Sequence, residues 1–245
     1  MTRSARTHSN TGRRRAARLL GRLACLAPLL STPALATDQD TQLWLNVTAI
    51  GRMGTTDPTP SRWRYWLEAQ ARFDQDVERN FQNIVRPALG FDITPRVTAW
   101  AGTAWIGTET RTGHRDEHRP WQQITWVPES QPAGFTLQLR PRLEQRMLQG
   151  SGDIGWRFRQ FFRGIRRVEG TAWSVVWQDE VFLNLNRTDY GARGGFDQNR
   201  LFLGVAYHAT PVARLEMGYL NQFIAGHQRP DTMNHILGVT LFLTP

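Results

Sequence analysis

Residues 62–73 read Arg-Trp-Arg-Tyr-Trp-Leu-Glu-Ala-Gln-Ala-Arg-Phe. Taken alternately, they fall into two sets of different character. Trp63, Tyr65, Leu67, Ala69, Ala71 and Phe73 form one, and Arg64, Trp66, Glu68, Gln70 and Arg72 form the other. Successive side chains of a strand point to opposite faces of a sheet, so an extended segment keeps these sets apart, whereas a helix would scatter both around its circumference. The alternation also persists for longer than an ordinary strand, which runs to about five or six residues. A strand that crosses a bilayer at a tilt needs about 9–11.

The same two-faced pattern recurs outward from this stretch. In 135–147, Phe135, Leu137, Leu139, Pro141, Leu143 and Met147 share one face, and Gln138, Arg140, Arg142, Glu144 and Arg146 share the other. Further candidate strands are 84–93, 96–106, 119–127, 155–164, 171–185, 198–208, 213–223 and 235–243. Ten strands from 62 to 243 predict an all-β fold, an antiparallel up-and-down transmembrane β-barrel. Residues 43–50 alternate as well and leave the count open. An all-antiparallel barrel with both ends on one side needs an even number, so the total is ten with 43–50 packed elsewhere, or twelve with one more strand. Connections at 94–95, 128–134, 165–170 and 209–212 are expected to be short. Those at 107–118, 148–154, 186–197 and 224–234 are expected to be long, which would put the end of the last strand in the periplasm. Asp179 falls on the apolar face, so it is expected near a rim or beside a bulge.

Residues 1–36 have a different chemistry. Seven arginines and no acid fill 1–22, an apolar stretch runs from Leu23 to Leu30, and Ala34-Leu35-Ala36 supplies small residues. This is the pattern of a secretory signal peptide, with cleavage expected after Ala36. The division is then 1–36 as the signal, 37–61 as an N-terminal segment that includes the possible extra strand, and 62–245 as the barrel. The net charge of +9 comes mainly from the signal, because the remaining 23 basic residues meet 21 acids. That argues against a nucleic-acid partner. The one cysteine, Cys25, lies in the signal, which excludes a thiol nucleophile or a cysteine-bound metal from the exported part. Ten tryptophans in a chain of mean hydropathy −0.47 fit a wall with one lipid face and one wet face. Aromatics gather toward strand ends at Trp63, Tyr65, Phe73, Trp105, Trp126, Phe135, Trp156 and Tyr207, as an interfacial girdle would.

Several local runs together resemble a known family: Glu68-Ala-Gln-Ala-Arg72-Phe73, Glu117-His-Arg119-Pro-Trp121-Gln122-Gln123, Arg140-x-Arg142-Leu-Glu144-Gln-Arg146, Trp156-Arg157-x-Arg159, Glu180-Val-Phe182-x-Asn184, Phe196-Asp197-Gln-Asn199-Arg200 and Gly218-Tyr219-x-Asn221-Gln222. In this order they are similar to the bacterial family catalogued as domain of unknown function 2490. The resemblance implies an outer-membrane β-barrel of Gram-negative type and supplies no reaction.

The alternation collects charge on the inner face. Glu68, Arg72 and Arg86 come from the first strands, Arg140, Arg142, Glu144 and Arg146 from the middle, and Arg157, Arg159, Glu180, Arg200 and Glu216 from the later ones. Arg64, Asp92, Arg96, Arg163 and Arg214 fall on the same face. A small barrel fills its interior with side chains, and arginine forks pair well with carboxylates. These residues therefore form either a structural ion-pair network that closes the lumen or a narrow, porin-like route for anions. His114 and His118 flank Arg115-Asp116-Glu117 in an expected loop, a spacing that would hold a metal only on a helix. No metal or other cofactor is expected. The expected partners are outer-membrane lipid, the barrel-assembly machinery during biogenesis and an anionic solute. Two other functions stay open: an outer-membrane enzyme acting on lipid or peptide, for which no serine–histidine–acid set is evident, and a soluble periplasmic β-barrel binding a small ligand.

Overall fold

The computed structural model describes residues 1, 38–54, 61–131, 134–227 and 230–245. The signal segment and its cleavage site lie outside the described residues, Met1 apart. Everything else described is strand, turn or irregular chain: β1 (Asp38–Arg52), β2 (Trp63–Asp74), β3 (Arg79–Thr94), β4 (Val97–Gly102), β5 (Trp105–Thr110), β6 (Gly113–His118), β7 (Trp121–Trp126), β8 (Thr136–Leu148), β9 (Ile154–Arg167), β10 (Trp173–Asn184), β11 (Gly195–His208), β12 (Ala213–Ile224) and β13 (Thr232–Leu243).

Thirteen segments make eleven staves. Ala88 faces Gly102 of β4 and Gln82 faces Thr108 of β5, so β3 pairs with both in a single register. Across the next seam Gly102 faces Trp121 and Trp105 faces His118, again in one register. The interruption at Thr103-Ala104 lies beside Arg119-Pro120. Pro120 has no amide hydrogen to give to the ladder, but Ala104 and Arg119 still exchange both backbone hydrogen bonds, at 2.9 and 2.8 Å. Residues 97–110 and 113–126 are therefore one stave each. The expected loop 107–118 is corrected to a hairpin that turns at Arg111-Thr112.

The sheet closes on itself. β2 pairs with β1 and β3, β7 and β6 both pair with β8, and β1 lies parallel to β13, from Asp38 opposite Thr232 to Ala49 opposite Leu243. That parallel seam corrects the expected count of ten or twelve strands. An even number is required only if every neighbour is antiparallel. Residues 43–50 belong to a 15-residue strand that is a full stave, and one parallel contact makes an eleven-strand ring consistent. The start of β1 and the end of β13 consequently lie at opposite ends of the barrel. The end where β1 begins carries 185–194 and 225–231 but also the tight turn at Arg111-Thr112. The other end carries 127–135 as well as short turns, so connection length does not distinguish the two ends.

The faces follow the sequence alternation. Leu67, Leu89 and Leu203 stand outside, each more than half exposed, and Leu45, Val85, Leu201, Met217 and Leu237 are exposed beside them. Arg72, Arg86, Arg142, Glu144, Arg157 and Glu216 are buried inside. At the end where β2 begins, Trp63 packs edge-on against Phe91 at 5.1 Å and Trp173 lies 4.9 Å from Tyr207. Arg96 is corrected from the inner face to an exposed turn, where it meets Glu129 at 3.4 Å. Asp179 lies neither at a rim nor at the β10 bulge, which falls between Phe182 and Leu183. It faces outward in mid-strand and accepts a hydrogen bond from Asn199 at 2.7 Å. Tyr219 and His235, joined at 2.6 Å, continue this polar row two strands on.

Glycines shape the inside of the last strands. Gly204, Gly218 and Gly238 stand side by side on β11, β12 and β13. A Cβ on Gly218 would lie 2.8 Å from the Phe202 ring, so the row leaves room for that ring to lie across the wall.

Candidate functional site: an arginine-lined lumen

Inside the barrel, a cavity of about 630 Å³ runs from the end where β1 begins toward Glu216 and Phe242. The connection 185–194 folds back over it and places Tyr190, Gly191 and Ala192 on its wall. Asp189 fastens this connection by accepting hydrogen bonds from the Ser151 hydroxyl and from the Gly152 amide, the latter at 3.0 Å. Asn186 adds two more, accepting from the amide of Trp156 and donating to the carbonyl of Ile154. A Cβ on Gly155 would collide with the Tyr190 hydroxyl, so glycine there lets the loop seat.

The register brings the charges together. Glu144 faces Arg157 directly across β8 and β9. Its carboxylate accepts from Arg157 at 2.7 and 3.0 Å and from Arg159 at 2.5 Å, while Arg119 and Arg142 stand 3.8 Å away. Arg142 and Arg159 also face each other. Like charges in register repel, and the fully buried Glu144 beside them offsets the repulsion. Arg159 reaches on to Glu180 at 2.6 Å. Glu117 takes Arg146 through two bonds of 2.8 and 3.0 Å and Arg119 at 2.7 Å. Glu68 pairs with Arg86 and accepts from the Trp66 indole at 3.0 Å. Glu216 holds Arg163 and, at 2.9 Å, Arg214.

Apart from Arg96, the residues placed on the inner face from sequence stand there, but not all of them are paired. Arg72 is held by the carboxamides of Gln70 and Gln82, and Arg140 stacks 3.8 Å above the Phe161 ring. Among the described residues neither has a carboxylate within ion-pair distance. Arg200 comes only to 4.0 Å of Glu180.

Sequence reasoning missed three parts of the lumen. Glu117 fell in the expected loop 107–118, and Arg119, at the start of the expected strand 119–127, was not placed on the inner face. Asp197, 3.3 Å from Arg157, comes from a strand that begins earlier than expected. The inward aromatics Trp100 and Trp121 were not placed in the lumen, although Trp66 fell in the inward set of 62–73. Trp66, Trp100 and Trp121 pack edge to face at 5.5 and 6.0 Å, and Val176, Phe202 and Ala206 form an apolar patch on another part of the wall. A large apolar residue within a charged period-two set was the available signal.

Two arrangements resemble catalytic or metal chemistry and stop short of it. Ser174 and His208 are hydrogen-bonded at 2.9 Å, but Ser174 is 1% exposed and no carboxylate among the described residues bonds the other imidazole nitrogen. His114 touches Glu109 at 2.7 Å and Asp116 at 3.1 Å on an exposed hairpin. Among the described residues no three His, Asp or Glu side chains form a metal-binding group.

A closed barrel with an apolar outside and an ion-paired inside defines the class of protein. The chain matches the family described as "Protein of unknown function (DUF2490)" over residues 41–234 and belongs to it. It is 31% identical over 230 residues to an uncharacterised protein of Methylorubrum extorquens, a match covering 92% of this chain and 97% of that one. No solved structure matches.

Proposed function

We propose that this protein is an exported bacterial outer-membrane barrel whose lumen admits anionic solutes. The observation that carries this reading is the inverted polarity of the wall. Leucines and valines stand outside with nothing over them, while glutamates and arginines are buried. Water-soluble proteins rarely leave so extensive an apolar surface uncovered, and a bilayer would cover it. The signal-like segment 1–36 and the Trp63–Phe91 and Trp173–Tyr207 pairs at one rim support the same placement.

Charge sets the solute class. Eleven arginines and five carboxylates line the cavity, and an excess of basic groups in a confined path lowers the barrier for anions. The aromatic cluster of Trp66, Trp100 and Trp121 fills one side of the lumen, so any route passes the opposite side and is narrow. Purified, folded protein in planar bilayers should give a small conductance whose reversal potential in a salt gradient has the sign for chloride. A silent or cation-selective bilayer would contradict the anion route and leave the paired residues as a structural plug. Release into the soluble periplasmic fraction without detergent would contradict the membrane placement and favour a soluble barrel with a small ligand.

A further inference from the structure

We infer that the lumen contains a specific binding site for a multivalent oxyanion, built by Arg72, Arg140, Arg142 and Arg200. The inference rests on the anion reading above and goes beyond it. A route needs only a positive field, whereas this cluster has the features of a place where an anion stops.

The four guanidinium groups are held differently from their neighbours. Arg86, Arg146, Arg157, Arg159 and Arg163 are locked onto carboxylates at hydrogen-bond distance. These four lie against aromatic faces and meet neutral partners instead, Arg72 the carboxamides of Gln70 and Gln82 and Arg142 Nε that of Gln123. Arg72 lies 3.7 Å over Trp44, and Arg200 lies 4.9 Å from the same ring and 4.7 Å from Phe182. Arg140 lies over Phe161, and Arg142 sits 4.1 Å from Trp121. Stacking fixes the plane of a guanidinium and leaves its edge, where the N–H groups are, for another partner.

That edge is unused in several places. Arg140 Nε, Arg142 Nη1 and Arg200 Nε are buried donors without a hydrogen-bond partner among the described residues. Arg142 is 5% exposed. Its contact with Glu144, at 3.8 Å, and that of Arg200 with Glu180, at 4.0 Å, are too long to be hydrogen bonds. Buried donors and buried unpaired charge are both costly, so such groups are normally satisfied by a partner. All four side chains line the one cavity.

The chemistry of the partner follows from the donors. Forked, planar N–H pairs match the spacing of oxygens on phosphate or carboxylate. Chloride has no such geometry, and a single carboxylate is too small to serve donors arriving from β2, β8 and β11. A compact molecule carrying at least two phosphate or carboxylate groups meets them, and its body would lie against Trp44 and Phe161.

The test is calorimetry on the folded full-length protein in zwitterionic detergent, at constant ionic strength. Inorganic pyrophosphate, citrate, acetate and chloride are the titrants. Saturable one-to-one binding of pyrophosphate or of citrate, at least about tenfold tighter than acetate, is expected, and whichever wins identifies the phosphate or the carboxylate source. Losing one charged donor should weaken that binding by about tenfold. Arg140→Gln and Arg72→Gln should both do so, and Arg64→Gln, whose partner Asp92 lies outside the cluster, should not. A shifted band in unboiled gels confirms that each variant is folded. If Arg72→Gln does not fold, Arg72→Lys keeps the charge, loses the fork and should bind more weakly. Absence of saturable binding by pyrophosphate and citrate, or equal binding by the Arg140 and Arg72 variants, would overturn the site. Chloride-selective conductance without such binding overturns the site and leaves the route. Binding without conductance overturns the route and leaves the site.

Discussion

Glu144 shows what one buried carboxylate does in this interior. It is fully buried and binds Arg157 and Arg159, so replacing it with glutamine leaves two desolvated cations without their anion. Removing one partner of a buried pair typically costs about 3–5 kcal/mol. Glu144→Gln should lower stability by that order in denaturant titrations of the folded protein. Glu129→Gln, at an exposed turn, should stay within about 0.5 kcal/mol of wild type. Outside the barrel wall, hydrogen bonds from Ser151 and Gly152 hold the Asp189 carboxyl below the usual carboxylate range. A depressed folded value means that this tie is fully present above the unfolded carboxylate value of about 3.9 and is lost as pH falls through the lower folded value. Amide exchange at Gly152 should therefore show protection at neutral pH that disappears only in acid, and Asp189→Asn should remove the acid step. At this scale the sequence disclosed which residues turn inward, because period two alone decides that. Which acid meets which arginine was not legible. The pairing of Glu144 with Arg157 depends on the register between β8 and β9, and no local pattern encodes that register.

Among the elements, β11 puts the two placements of the barrel in direct opposition. Leu203 stands outside at mid-strand, 57% exposed, between Leu201 and Val205. In a bilayer, an arginine there costs about 2–4 kcal/mol, whereas on a water-facing surface it changes stability by no more than about 0.5 kcal/mol. Leu203→Arg should fail to give the unboiled band shift, or should unfold at clearly lower denaturant. Wild-type stability for that variant would favour the soluble barrel. On the inner face of the same sheet, Gly218→Ala should destabilise the fold, because its methyl meets the Phe202 ring and the backbone of Leu203 and Gly204. Long alternating strands such as β2 were legible at once. The stave 113–126 was divided into loop and strand after His118 because the charged run Arg115-Asp116-Glu117 resembles a connection. Its continuity is visible only in the ladder it forms with residues 97–110. Asp179 was legible as an outward residue, but the partner that accommodates it, Asn199, lies on the next strand.

For the whole molecule, the uncertain quantity was the parity of the strand count. The alternation in 43–50 was plain, yet an odd total seemed barred because both ends of an all-antiparallel barrel must lie on one side. The parallel seam between β1 and β13 removes that constraint, and a contact between the two ends of a chain leaves no trace in either segment alone. The central claim is that the apolar face of this eleven-stave ring is covered by lipid and the charged face is not. The most direct measurement uses the absence of any cysteine after Cys25. Single cysteines introduced one at a time from Arg200 to Tyr207, with Cys25 replaced, carry a nitroxide in protein folded into lipid vesicles, and collision rates with oxygen and with a water-soluble nickel complex are compared. Positions 201, 203 and 205 should collide strongly with oxygen and weakly with nickel, while positions 200, 202, 204 and 206 should show low oxygen access. High nickel access at 201, 203 and 205, or no period of two along the strand, would contradict the claim.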